Sequence, residues 1–272
     1  MEQVQFIFDT HGHYQDRAFD EDREQVLRQV RAAGVAIVTE IGDTIPNSIR
    51  AVELARRYRT FGDDLPFMCA AVGVHPDNVG ELNDSAMEDL RRLAMAPEVV
   101  AIGEIGLDYH WNVEQADVQQ YWFRRQVELA SELKLPVNIH SRDAAEDTLN
   151  LARELKLGEV GGIVHCYSYS VEHAREYVKM GLYLGIGGVV TYKNGRKLKA
   201  VVREIPLEHL VLETDCPYLA PTPHRGERNS SAWLPYVAET IAELKGITAE
   251  EVIRVTCENA RRVYRLPAGC TD

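Results

Sequence analysis

Four histidines and two carboxylates stand at or near the ends of short apolar runs in this 272-residue chain: His11, His13, Glu104, His140, His165 and Asp215. Imidazole nitrogens and carboxylate oxygens together suit Zn²⁺, Mn²⁺ or, less well, Mg²⁺, and two such ions in one site suit hydrolysis by an activated water. Each residue alone is a weak signal. In FDTHGHYQD, His11 and His13 project to one side of an extended segment because side chains alternate with period two, and Gly12 lets the backbone pass close to an ion. Glu104 sits in the apolar run AIGEIGLDYHW, where a buried carboxylate is costly unless a cation, a salt bridge or a hydrogen-bond network compensates it. His140 closes PVNIH and His165 closes GIVH, and singly each also fits a hydrogen-bonded core histidine. Asp215 ends VLETD, while Glu213, two residues earlier, points the same way and could carry the chemistry instead. The concurrence of all of them argues for metal.

These residues need a scaffold that brings distant segments to one place. The chain alternates short apolar runs with amphipathic stretches, the pattern of repeated βα units with a parallel sheet. Eight runs are read as strands, at 6–10, 35–41, 67–74, 99–105, 136–140, 161–167, 182–187 and 209–215. Helical stretches separate them. One covers 20–34, with Val26, Leu27 and Val30 as its apolar stripe and Gly34 as its stop, and another covers 119–134, followed by Pro136. A last helical region closes the chain, with Thr248 and Glu251 read as a capping box. Eight strand-helix units in this length predict an α/β fold, a (β/α)8 TIM barrel forming a single domain over 1–272. Active sites of that fold lie at the C-terminal ends of the strands, and seven of the nine histidines (His11, His13, His75, His110, His140, His165, His224) fall at or just after such an end.

Composition limits the partners. With 45% hydrophobic residues the chain can bury a large core, and a net charge of −12 argues against broad affinity for a polyanion, although nucleic acid remains open as a substrate at a locally positive mouth. Five cysteines without a CxxC pair (Cys69, Cys166, Cys216, Cys257, Cys270) suit reduced thiols, and the N-terminus MEQVQFIFD carries no basic leader. A cytoplasmic protein with no membrane association and no obligate protein partner is expected.

The segments FDTHGHY, AVGVHPDN, AIGEIGLDYHW, PVNIHSRDA, GIVHCYSYS and ETDCPYLAP resemble, in order, the signature blocks of the TatD-related DNases, metal-dependent hydrolases of the amidohydrolase superfamily. The resemblance implies a metallohydrolase barrel that cleaves phosphodiester bonds, often in DNA. It implies that His11, His13 and Asp215 hold one metal, that His140 and His165 hold the other, and that Glu104 bridges them; no lysine occurs in residues 99–111 to take that bridging place in carboxylated form. Two ions about 3.5 to 4 Å apart would acidify a shared water and polarise a phosphoryl oxygen. Asp215 is the candidate acceptor of that water's proton. His75, Arg142, Lys193 and Arg196 are candidate phosphate contacts, and Tyr14, Tyr109, Trp111, Tyr167 and Tyr192 are candidate stacking aromatics. Lys193 and Arg196 also fit an ordinary solvated helix start. Two departures stand out: Asp77 replaces a histidine common after the proline of GVHP, and Ser230 and Ser231 replace an acidic residue and a proline, which puts helix entry and substrate contact there in question. The leading expectation is a deoxyribonuclease acting at a single-stranded or 3′ end; the alternative is a hydrolase of another ester, such as an aminoacyl-tRNA ester, a small phosphoester or a lactone.

Overall fold

The computed structural model describes residues 6–59 and 64–266; the readings made on residues 1–5 and on Cys270 lie outside them. The eight expected strands form one parallel sheet in chain order: β1 (Ile7–Gly12), β2 (Val35–Ile41), β3 (Phe67–Val72), β4 (Val99–Asp108), β5 (Val137–Arg142), β6 (Gly162–Val164), β7 (Tyr183–Ile186) and β8 (Leu210–Leu212). The ring closes just beyond β8. Gly12 bridges Cys216 in parallel, Asp215 N donates to His11 O (2.9 Å) and His13 N donates to Cys216 O (2.9 Å). The expected (β/α)8 barrel is therefore present.

Strands covered by helices are buried on both faces, which is why they read as nearly continuous apolar runs. Side chains such as Val35, Val38, Met68, Ile102 and Leu184 pack outward under the helices, while Ile37, Ile41, Cys69, Ala71, Ile163 and Val211 form a separate cluster within the barrel. Tyr264, just past the last helix, packs with this inner cluster and donates from its hydroxyl to Thr10 O (3.0 Å). Among the described residues no helix is long and apolar enough to cross a membrane.

Several boundaries differ from the sequence reading, and two matter. β4 runs three residues past 105, carried on by pairing of Leu107 with Ser141 and Asp108 with Arg142, so Glu104 lies within the strand and Asp108 joins the rim. β8 stops at Leu212, so Glu213, Thr214 and Asp215 form an irregular segment across the mouth. The stretch read as 20–34 is a helix over Arg23–Ala32 with Gly34 at φ 89°, a conformation that stops it. The stretch read as 119–134 is Ala116–Leu133. Its buried Gln119 side chain bonds both backbone groups of Asp108 (2.8 and 2.9 Å), and its buried Gln126 does the same for Val74 (2.8 and 3.1 Å), so one helix fixes two rim segments. Thr248 caps the last helix, its Oγ1 accepting from Glu251 N (3.2 Å).

Candidate metal centre

Five of the seven rim histidines converge. His13, His75, His140 and His165 line a cleft of about 540 Å³ together with Glu104, Asp108, Asp215 and Arg142, and His11 lies buried directly beneath. The other two do not join them: His110 pairs with Asp143 at the surface (2.9 Å), and His224 stacks on Trp233 with ring centroids 4.2 Å apart.

Glu104 divides its two oxygens. Oε2 lies 3.4 Å from His11 Nε2 and 3.9 Å from His13 Nε2. His11 Nε2 and His13 Nε2 are 3.2 Å apart, and Asp215 Oδ1 is 3.9 and 3.4 Å from them. Ligands at 2.0 to 2.2 Å from a tetrahedral ion are separated by about 3.3 Å, so these four atoms already stand near the edges of such a polyhedron. The other oxygen, Oε1, faces His140 Nδ1 (2.7 Å), His165 Nε2 (3.6 Å) and His75 Nε2 (3.8 Å).

The partners behind each ring decide which nitrogen faces inward with a lone pair. His13 donates from Nδ1 to Ile41 O (2.9 Å), leaving Nε2 for the site. His165 Nδ1 lies 3.2 Å from Glu213 Oε1, leaving its Nε2 likewise. His140 is reversed, Nε2 donating to Asp108 Oδ2 (3.1 Å) so that Nδ1 faces Glu104. His11 stacks on His165 at 3.5 Å between centroids. A carboxylate or carbonyl behind a ligating imidazole is the usual means of fixing its tautomer and raising its basicity. The donor set and its spacing fit divalent cations.

Without an ion, protons balance the acids. Burial opposes the charge on His13, yet bonding to Asp215 and the charge of Glu104 hold its pKa up to about 10. The same contest leaves His140 at about 9, through Asp108 and Glu104, and His165 at about 9, through Glu213 and Glu104. His11 is pushed down by burial and by neighbouring His165. Burial favours neutral carboxyls at Glu104 and Asp215, but the surrounding imidazoles win and lower both.

Neighbouring residues, among them Asp9, which the sequence does not single out, hold this arrangement. Buried Asp9 accepts from His11 N (3.1 Å), Thr214 N (3.1 Å), Thr214 Oγ1 (2.6 Å) and Ser231 Oγ (2.5 Å), tying β1 to the segment that carries Asp215. Asp215 itself takes a left-handed backbone (φ 57°), which aspartate tolerates better than most residues. Ser230 and Ser231 are buried; Ser231 belongs to this frame, not to a substrate-contacting surface. Glu213 is buried behind His165 and accepts from Cys166 N (2.6 Å), and the space for its carboxylate exists because residue 185 is glycine, whose Cβ would meet Glu213 Oε2 at 2.0 Å. Gly12 serves packing, since a Cβ there would meet Cys216 Sγ at 3.2 Å. The one sequence clue to Asp108 is its spacing of four from Glu104, an even interval that shares a strand face.

The remaining expected contacts fall out unequally. Arg142 lines the cleft, its guanidinium 5.5 Å over the ring of exposed Trp111, which lines it too. Lys193 and Arg196 are exposed beyond β7 and are not among the residues lining the cleft. Tyr14 and Tyr167 are corrected: both are buried, bonded to Ser231 Oγ (2.8 Å) and Ser170 O (2.6 Å), and present no face for stacking. Tyr109 bonds Asp147 (2.8 Å) and Tyr192 bonds Ala220 O (2.8 Å) beneath Arg225. Tyr218, which its sequence context does not single out, is exposed and lines the cleft.

Comparison with known proteins gives the chain its family. The chain matches the family model described as TatD related DNase over residues 8–265. It is 44% identical over 260 residues to the metal-dependent hydrolase YabD of Bacillus subtilis (strain 168), covering 96% of this chain and 99% of that one. It is 36% identical over 256 residues to the 3'-5' ssDNA/RNA exonuclease TatD of Rahnella sp. (strain Y9602), covering 92% and 95%. The crystal structure of YJJV, a TatD homolog from Escherichia coli K12, superposes with a TM-score of 0.90 at 29% identity, covering 97% and 100%. With the family model matched over nearly its whole length, the chain belongs to the TatD related DNase family.

Proposed function

We propose that this chain is a divalent-metal-dependent phosphodiesterase that removes nucleotides from an exposed single-stranded end of DNA, working as one domain with two ions. His11, His13 and Asp215 hold the first, His140 and His165 the second, and Glu104 lies between them. The observation that carries this reading is the orientation of Glu104, with one oxygen toward each histidine group. Bound there, the two cations would acidify a shared water and polarise a phosphoryl oxygen. Asp215, on the irregular segment past β8, would accept the water's proton. Arg142 contacts a phosphate, and Trp111 beside it offers a face for a base. Relatives named as metal-dependent hydrolase and as 3'-5' ssDNA/RNA exonuclease support the same reading. Cytoplasmic residence suits the four described cysteines, none of which is joined in a disulfide among the described residues.

A second reading, hydrolysis of a smaller ester, draws on the aspartates at the mouth: Asp16, Asp43 and Asp77 line the cleft, where Arg142 is the only lysine or arginine among the described residues. The test is a panel of single-stranded DNA, duplex DNA, RNA, aminoacyl-tRNA and chromogenic phosphoesters assayed with Mn²⁺, Mg²⁺ and Zn²⁺. Metal-dependent shortening of single-stranded DNA is expected. Turnover confined to aminoacyl-tRNA or to the small phosphoesters would establish the second reading instead.

A further inference from the structure

A fifth histidine faces the same site with opposite chemistry. His75 begins a short turn over Pro76–Glu81, and its Nδ1 accepts a hydrogen bond from Asp77 N at 3.1 Å. A backbone N–H can only donate, so Nδ1 carries no proton and the single ring proton resides on Nε2. That nitrogen points inward, 3.8 Å from Glu104 Oε1, with the ring edge against His140 at 4.2 Å between centroids. His13, His140 and His165 behave the other way round: in each, the nitrogen away from Glu104 is turned to a carbonyl or carboxylate, which leaves a lone pair for the site. Distance alone groups His75 with Glu104 and His140 as possible ligands, whereas the hydrogen bond behind the ring makes it a donor.

We propose that His75 is not a metal ligand but donates from Nε2–H to a phosphoryl oxygen of the scissile phosphodiester, a role that rests on the phosphodiesterase reading above. Two features support it. Glu104 Oε1 stands beyond hydrogen-bond distance of Nε2, and in the proposed reading that oxygen is committed to a cation, which leaves the proton to the substrate. The ring is also held in place before substrate arrives: His75 N donates to Asp43 O (2.9 Å), Asn78 N donates to His75 O (2.8 Å), and the adjoining Val74 backbone is clamped by Gln126. A donor preset toward the place where negative charge develops lowers the barrier more than it tightens ground-state binding. Asp77 supplies only its backbone N–H to this bond, which does not depend on the identity of its side chain.

The test uses the Mn²⁺-reconstituted full chain with bis(4-nitrophenyl) phosphate and a single-stranded oligonucleotide as probes. His75→Ala should keep the Mn²⁺ content and melting temperature of the unsubstituted protein. Its kcat should fall by about 100-fold on both probes, the range for loss of one such donor, with KM changed by less than about threefold. His75→Gln, whose amide nitrogen reaches the place of Nε2, should recover about tenfold of that loss. Loss of a metal equivalent in His75→Ala would make His75 a ligand and overturn the proposal, as would an unchanged kcat, or His75→Gln no better than alanine. An unsubstituted protein that cleaves neither probe would overturn the phosphodiesterase reading and this role with it, whereas normal cleavage with an indifferent His75→Ala would overturn this role alone.

Discussion

At the scale of single residues, the centre is a balance of protons and cations. His13, His140 and His165 hold protons to pKa values of about 10, 9 and 9 because Asp215, Glu104, Asp108 and Glu213 surround them, so at neutral pH a metal ion must displace protons to bind. Metal affinity should therefore rise with pH until about 9 to 10, and binding at pH 7.5 should release protons, measurable by titration calorimetry in two buffers of different ionisation enthalpy; affinity flat between pH 7 and 9 would contradict this. The sign for stability follows from the same shifts. A histidine whose folded pKa is raised stabilises the fold below its unfolded pKa, and the contribution is lost as pH rises through about 9. The metal-free protein should lose melting temperature between pH 7 and 10 more steeply than protein carrying stoichiometric Zn²⁺. Glu213→Gln provides a residue-level check. The Glu213 carboxylate stands 3.2 Å behind His165 Nδ1, and losing such a partner of a ligating imidazole typically costs 10- to 100-fold in metal affinity. Occupancy by equilibrium dialysis should show it. The clustered histidines and Glu104 were legible in the sequence because a charged residue in an apolar run needs a reason; Asp9 was not, nor was the place of Glu213 behind His165, because their partners come from β1, the end of β6 and residues near 214 and 231, which only the folded ring brings together.

At the scale of elements, the alternation of apolar runs and amphipathic stretches was enough to count eight strands, but not to end them. The apolar run at 99–105 gives β4 an end three residues short, whereas pairing with β5 carries the strand to Asp108. That error hid the residue that orients His140. Pairing between distant segments is a tertiary property, and a run of six residues does not declare its neighbour. Gly106 is where the pairing is most demanding: its φ is 152°, and a Cβ there would lie 1.9 Å from His140 O, a backbone atom unable to move without breaking the ladder. Gly106→Ala should cost about 4 kcal/mol or more, the range reserved for backbone conflict in a core. Denaturant unfolding of the soluble fraction would measure it, and a loss below about 1 kcal/mol would mean that β4 and β5 separate easily at the rim.

At the scale of the whole molecule, a chain of net charge −12 with aspartates around its cleft must bind a polyanion through few cations placed locally. Composition showed the total, but the concentration of Asp16, Asp43 and Asp77 at the mouth is a consequence of barrel closure and was not legible beforehand. Arg142 lines the cleft and would meet the scissile phosphate or its neighbour. Lys193 and Arg196 follow β7 at the same end of the barrel but stand outside the cleft, where only phosphates farther along a strand would reach them. Arg142→Ala should thus weaken both an oligonucleotide and a small chromogenic phosphodiester. Lys193→Ala with Arg196→Ala should raise KM several-fold for the oligonucleotide while leaving the small diester nearly unchanged. Each lost phosphate contact to a single strand should also reduce the slope of log affinity against log salt by about 0.7. Equal loss on both substrates in the double variant would indicate a defect of folding or metal binding, which melting temperature and metal content would reveal. No loss on the oligonucleotide would remove the segment after β7 from the strand's path, and the path would then run on the side of Trp111 and Tyr218, the exposed aromatics lining the cleft.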